Sequence, residues 1–277
     1  MLAVVLSPAL ALAQSLFVAD YNAGKIYQFT LDGTRTTFAS GLRGPWALAF
    51  DGVGNLFATD VRSGSIYKFT SGGTRTTFAS GLSSQGLAFD GAGNLFVSDY
   101  NSESIYKFTP DGTRSTFASG LWNPQGLAFD SAGDLYEADA DSGYIYKFTP
   151  DGTRTSIDRL GYPEGLAFDS AGNLFVADEA SGNIYEYTGD GTRSTFASRV
   201  GIPQGLAFDG SGNLYVSMMF SPYMYVFTPD GTPGSFGSGL QDAALLAFQV
   251  PEPATWSLLA FGIVTLLGSR RLRRRSS

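Results

Sequence analysis

A tetrad, Leu-Ala-Phe-Asp, recurs along the chain and ends at Asp51, Asp90, Asp130, Asp169 and Asp209, at spacings of 39, 40, 39 and 40 residues. An altered sixth copy, Leu246-Ala247-Phe248-Gln249, follows one period later. Each period holds four short runs of β-branched and aromatic residues, broken by Asp-Gly and Gly-Asn turns. In the second they are Gln85 to Phe89 (strand A), Leu95 to Ser98 (B), Ile105 to Thr109 (C) and Thr113 to Ser119 (D). A helical repeat is excluded, because the runs alternate with period two and glycine interrupts them too often. A period near 40 with four strands per unit predicts one β-propeller blade per unit.

The ends set the blade count. The chain opens with strands B, C and D alone (Leu16 to Asp20, Ile26 to Thr30, Arg35 to Ser40) and closes with a lone strand A, Ala244 to Phe248. Five whole units and these two fragments predict an all-β, six-bladed propeller of four-stranded blades. Its last blade is closed by N-terminal strands B to D and C-terminal strand A. Such a clasp removes the free first and last edges and ties the ring shut.

Composition then narrows the chemistry. Histidine and cysteine are both absent. That excludes histidine-based triads, cysteine nucleophiles, zinc fingers and disulfides. Carboxylate chemistry, oxygen-ligated metals and binding without catalysis remain.

Both termini read as addresses. Residues 1–13 are uncharged and mostly apolar, and end in Ala11-Leu12-Ala13, the small residues signal peptidase accepts before a cut after Ala13. They lack a basic n-region, so a true start further upstream, or a buried first strand, is the alternative. At the other end, Pro251-Glu252-Pro253 precedes an apolar run from Ala254 to Gly268 and then Arg270, Arg271, Arg273, Arg274 and Arg275. The run makes a short transmembrane helix of about 22 Å, and the arginines hold its end in the cytoplasm. The expected division is a signal peptide at 1–13, a propeller at 14–249 and a tail at 250–277. Removing that tail takes the net charge from −7 to −11, because five arginines and one glutamate leave with it. So acidic a body repels nucleic acid and attracts cations.

The tail resembles the PEP-CTERM sorting signal, with Pro251-Glu252-Pro253 as its motif. The resemblance implies export, transient anchoring in the inner membrane, and removal by a membrane exosortase. It also implies an envelope or extracellular-matrix setting associated with biofilm and exopolysaccharide producers. An ordinary C-terminal membrane anchor is the plainer reading. The body resembles NHL-repeat propellers and the six-bladed group of gluconolactonase, regucalcin and strictosidine synthase. The matching words are Pro124-Gln125-Gly126-Leu127-Ala128-Phe129-Asp130 and Gly172-Asn173-Leu174-Phe175-Val176-Ala177-Asp178. This likeness implies a fold and not an activity, since the group holds hydrolases, lyases and binding modules alike.

Internal repetition separates scaffold from site: a residue in every blade builds blades, and one that breaks the pattern marks a possible site. Asp20, Asp60, Asp99, Asp139 and Asp178 end strand B in five blades. They read first as turn formers and second as ligands for a hard cation such as calcium. Asp139-Ala140-Asp141 and Asp178-Glu179 are the best local cation candidates. Arg35, Arg75, Arg114, Arg154 and Arg193 read as edge charges, with a basic rim for acidic polysaccharide as the alternative.

The second group breaks the pattern. At the channel mouth, strand A begins Trp46, Gln85, Gln125, Glu164, Gln204 and Ala244, and only Glu164 is charged. In the gluconolactonase group a glutamate near that position holds a divalent metal, which the resemblance carries to Glu164 alone. Blade 5 reads Met218-Met219-Phe220-Ser221-Pro222-Tyr223-Met224 where other blades are polar, a contact surface or a patch packed on its neighbour. Trp46, Trp122 and Tyr162 lie between blades on the same face, to stack on sugars or to fill gaps. These features favour an exported, monomeric binding or scaffold propeller for exopolysaccharide or an envelope protein. The alternative is a metal-dependent lactonase or esterase built on Glu164.

Overall fold

The structure, a computed structural model, describes residues 14–249. Ala11, Ala13, the sorting motif, the five arginines and the expected transmembrane helix therefore lie outside the described residues. The described chain forms six antiparallel four-stranded sheets. Blades 1 to 5 begin with strand A at Pro45–Phe50, Ser84–Phe89, Pro124–Phe129, Pro163–Phe168 and Pro203–Phe208. In the sixth, Ala243–Gln249 pairs with Ser15–Asp20, followed by Lys25–Thr30 and Arg35–Ser40. The clasp runs antiparallel, with Ser15 opposite Gln249, Leu16 opposite Phe248 and Val18 opposite Leu246. Residues from the two ends of the propeller are thus joined in one ladder.

Repetition supplies the core. The second residue of strand B packs edge-on between a strand D ring of its own blade and the tetrad phenylalanine of strand A in the next. Phe57 meets Phe78 at 5.1 Å and Phe89 at 5.0 Å, and Phe96 meets Phe117 and Phe129 at 5.0 Å each. Edge-to-face pairs of this kind add about 0.5–1.5 kcal/mol each beyond their burial.

Strand A lines the central channel, and its glycines set the channel's width. A Cβ on Gly86 would lie 2.1 Å from the Gln125 carbonyl oxygen, and one on Gly165 2.1 Å from that of Gln204. Only glycine permits so close an approach of neighbouring backbones. Below them the tetrad leucines, including Leu48, Leu87, Leu127, Leu166 and Leu206, surround a cavity of about 120 Å³. The channel is therefore narrow at its leucine-lined waist, and polar and wide at the mouth on the B–C loop side.

The recurrent arginines act between strands and between blades. Each guanidinium lies over a strand C tyrosine, at 4.4 Å for Arg35 on Tyr27 and 4.9 Å for Arg114 on Tyr106. Arg75 and Arg154 also donate to the carbonyls of Gly41 and Gly120 in the preceding blade. Arg193 instead pairs with Asp158 at 2.8 Å.

Candidate functional site

The aspartates ending strand B are structural pins. Asp60 accepts from the N–H groups of Arg43 (2.8 Å) and Gly44 (2.9 Å), just before strand A of its blade, and from Ser63 N–H (3.3 Å) in its own turn. Asp139 likewise accepts from Trp122 N–H (2.9 Å) and Asn123 N–H (3.2 Å). Asp178 accepts from Tyr162 N–H (2.7 Å) and the Ser181 hydroxyl (2.7 Å). Each carboxylate fastens the D–A loop to the B–C loop of one blade. Among the described residues no three Asp or Glu side chains gather where a metal ion could be held.

Blade 5 is built differently. Met218 takes the place of the pin and is buried with Val200, Leu206 and Val216. Met224 is fully buried against the clasped blade. The Met218–Met224 segment therefore splits into two buried methionines, a half-buried Met219 and two exposed rings, Phe220 at 71% and Tyr223 at 37%. Phe220 has φ 58°, a left-handed backbone that costs a bulky residue about 1–3 kcal/mol. Asp242 of the clasped blade holds its N–H at 3.2 Å. Trp122 is 68% exposed on the same face, where Tyr100 and Tyr144 also emerge.

Between these rings the channel opens into a cavity of about 400 Å³. Glu164 lines it from strand A, Glu179 and Asp141 from B–C loops, and Gln85, Asn123 and Gln125 add amides. Tyr21, Trp46, Tyr100 and Tyr162 form aromatic walls. The structure thus brings together Trp46, Tyr162, Glu164, Asp141 and Met219 from the sequence candidates, while Asp139 and Asp178 stay in their separate turns. Asn123 links the parts: its amide donates to Asp141 Oδ1 (3.2 Å) and Tyr162 Oη (3.0 Å), and its oxygen accepts from Gln125 Nε2 (2.8 Å).

Glu164 is only 4% exposed, and its Oε2 has no hydrogen-bond partner among the described residues. Burial first, then the charge of Glu179 and a hydrogen bond shared with it, push the Glu164 carboxyl up to about 8. Tyr162 is pushed up to about 12, mainly by burial and then by Glu164, Asp141 and Glu179. Glu179's place beside Glu164 went unread in the sequence. The signal was present, because the residue after the strand B pin is Tyr21, Val61, Tyr100, Ala140 and Met219 in the other blades.

A second buried carboxyl lies away from the mouth. Glu137 is fully buried, both its oxygens lack partners among the described residues, and burial followed by Asp139 raises its pKa well above the usual range. The corresponding residues are Val18, Ala58, Val97, Val176 and Val216.

Comparisons with known proteins agree with this architecture. Residues 249–275 match the PEP-CTERM protein-sorting motif. That signal marks the chain for export and membrane-anchored sorting to the cell envelope by an exosortase-type enzyme. No curated protein matches the chain. Among solved structures, a chain of a nidogen/laminin complex is similar at TM-score 0.79 and 23% identity, over 87% of this chain and 100% of that one. A gluconolactonase from Xanthomonas campestris is similar at TM-score 0.69 and 20% identity, covering 83% and 87%. Virginiamycin B lyase from Staphylococcus aureus is similar at TM-score 0.66 and 14% identity, covering 85% and 91%. At these identities the likeness is one of fold. The metal set that the gluconolactonase resemblance implies is represented here by Glu164 alone, among amides, an indole and an alanine, so the residues present do not complete it.

Proposed function

We propose that this chain is an envelope-sorted binding propeller that holds saccharide on its B–C loop face. The observation that carries the reading is the pair of exposed rings, Trp122 and Phe220, on the face that contains the channel mouth. Leaving two large rings in water forgoes roughly 1.5–3 kcal/mol of burial apiece, and Phe220 adds backbone strain to that cost. Aromatic faces stack on the apolar faces of sugar rings, while the amides and carboxyls of the mouth suit sugar hydroxyls. The acidic body and the engaged arginines argue against an acidic polysaccharide. The similar chain from a nidogen/laminin complex supports binding as a use of this fold.

The test is affinity electrophoresis and calorimetry of the full-length protein in mild detergent against neutral and amino polysaccharides. Binding that falls at least about tenfold in Trp122→Ala, or in Phe220→Ala, is the expected result. Hydrolysis of a lactone, lost in Glu164→Gln, would replace this reading with a lactonase.

A further inference from the structure

The channel mouth is rich in acceptors, and the cation beside it, Arg62, is engaged outside the lining, over the Tyr21 ring at 4.3 Å and donating to Tyr21 Oη at 3.1 Å. Its lining holds three carboxyl side chains, Asp141, Glu164 and Glu179, and neither lysine nor arginine. Two acceptors, Glu164 Oε2 and Gln125 Oε1, and one donor, Trp46 Nε1, are buried there without partners among the described residues. Leaving such acceptors unsatisfied costs about 1–3 kcal/mol each, a cost that a donor-rich ligand relieves. Four aromatic side chains wall the same space, and Trp46 stands edge-on to Tyr21 with centroids 5.6 Å apart.

Two features distinguish an organic cation from a metal ion. The cavity, about 400 Å³, is the size of a small-molecule site and far larger than a coordination sphere. A hard cation needs six to eight oxygens converging at about 2.3–2.6 Å. Here Asp141 is tied to Asn123, and Asn123 in turn to Tyr162 and Gln125. An ammonium group needs only three acceptors in different directions, and aromatic rings around it add cation–π attraction of about 0.5–2 kcal/mol. Behind the mouth the channel narrows to the leucine-lined waist, about 120 Å³ against about 400 Å³. A ligand therefore inserts one group and leaves its remainder on the outer face among Trp122, Tyr100 and Phe220.

We propose that the mouth recognises the primary ammonium of an amino sugar, set between the Glu164–Glu179 pair and the aromatic walls, within a partly deacetylated polysaccharide. The inference rests on the saccharide reading above and names the sugar class. A bound ammonium favours the ionised form of Glu164, which then supplies charge beside Glu179, while Gln125 Oε1 accepts a further N–H and the exposed rings carry the neighbouring sugars.

Calorimetry on the full-length protein in mild detergent at pH 6 tests this with four probes: glucosamine tetramer, its fully N-acetylated counterpart, tetralysine and calcium chloride. The glucosamine tetramer is expected to bind at least about tenfold more tightly than the acetylated one. Glu164→Gln and Glu179→Gln should each erase most of that difference, weakening the glucosamine tetramer several-fold more than the acetylated one. Glu164→Gln places in blade 4 the residue that blades 2, 3 and 5 carry at Gln85, Gln125 and Gln204, so the fold tolerates it. Equal affinity for the two tetramers, unmoved by either substitution, overturns the inference and leaves the saccharide reading standing. Absence of binding to both tetramers overturns both. Tetralysine binding as tightly as glucosamine overturns the sugar and points to a basic peptide. Calcium bound through Glu164, without binding of the amino sugar, makes the mouth a metal site.

Discussion

Asp60 and Glu164 occupy neighbouring layers of the same propeller, and burial alone hardly separates them, at 1% and 4% exposed. Asp60 receives three backbone N–H groups, so its charge is solvated by the protein and its position is that of a rivet. Glu164 has one oxygen with no donor among the described residues and a second acid beside it. Donor count, more than depth, distinguishes a carboxylate that builds the fold from one available to a ligand. Glu137 extends the comparison: it is as buried as the pins, has no donors, and faces no cavity at the mouth.

The largest expected effect breaks a pin. Asp60→Ala leaves the Arg43 and Gly44 N–H groups without their acceptor at a buried junction. A loss of about 3 kcal/mol is expected, a fall in Tm of roughly 6–12 °C by differential scanning calorimetry. A fall under about 2 °C would mean that the pins are not rivets and that the contrast with Glu164 is wrong.

Glu137→Val works in the other direction. It restores the apolar residue of the other blades and removes a carboxyl that desolvation holds neutral. A gain of about 1–3 kcal/mol in urea unfolding near neutral pH is expected. The wild-type penalty grows with pH, because the unfolded chain releases this proton near the ordinary glutamate value while the folded protein keeps it. The advantage of the variant should therefore be greater at pH 8 than at pH 5, and an advantage that shrinks with pH would contradict a neutral buried acid.

Glu164→Gln sharpens the same point at the mouth. With the folded carboxyl raised to about 8, its contribution to stability is full below the unfolded pKa. It is lost as pH climbs toward 8. The substitution should flatten the fall in stability across that window by about 1.4 kcal/mol per pH unit. Urea midpoints at pH 5, 6, 7 and 8 measure this, and parallel curves for wild type and variant would show that Glu164 is already ionised at neutral pH.

These contrasts mark where sequence reading succeeds. The blades, their number and the clasp were legible, because the same local code is written once per blade and a residue present each time must serve the blade. The strand B aspartates were legible as turn formers for that reason. Their second grip, on the D–A loop 16 or so residues away, was not, since it depends on how a blade closes. Glu164 stood out against the glutamines of its ring, but its pairing with Glu179 comes from curvature that sets a strand A residue beside a B–C loop. The blade 5 loop was open to two readings, a contact surface or a patch packed on its neighbour; Met218 and Met224 pack inside, while Phe220 and Tyr223 are exposed. Glu137 breaks the repeat against Val18, Ala58, Val97, Val176 and Val216, but its burial without donors depends on how the blades pack.

The smallest effects lie at the outer rim, in a place where two breaks in the repeat compensate. Asp158 replaces the alanine of Ala39, Ala79, Ala118 and Ala197, and Tyr187 replaces the phenylalanine of Phe69, Phe108 and Phe148. The Tyr187 hydroxyl donates to Asp158 Oδ2 at 2.9 Å, and Arg193 donates to the same oxygen at 2.8 Å. Arg193→Ala should cost under about 1 kcal/mol, because its side chain is 45% exposed and Asp158 keeps both Tyr187 and water. Asp158→Ala alone should cost somewhat more, about 1 kcal/mol, by removing the acceptor of the Tyr187 hydroxyl, whose residue is buried. Adding Tyr187→Phe rebuilds the pair found in other blades and should return stability to within about 0.5 kcal/mol of wild type. A double variant no better than Asp158→Ala would show that the two residues were not exchanged as a unit, and that the rim, unlike the pins and the mouth, cannot be read by comparing blades.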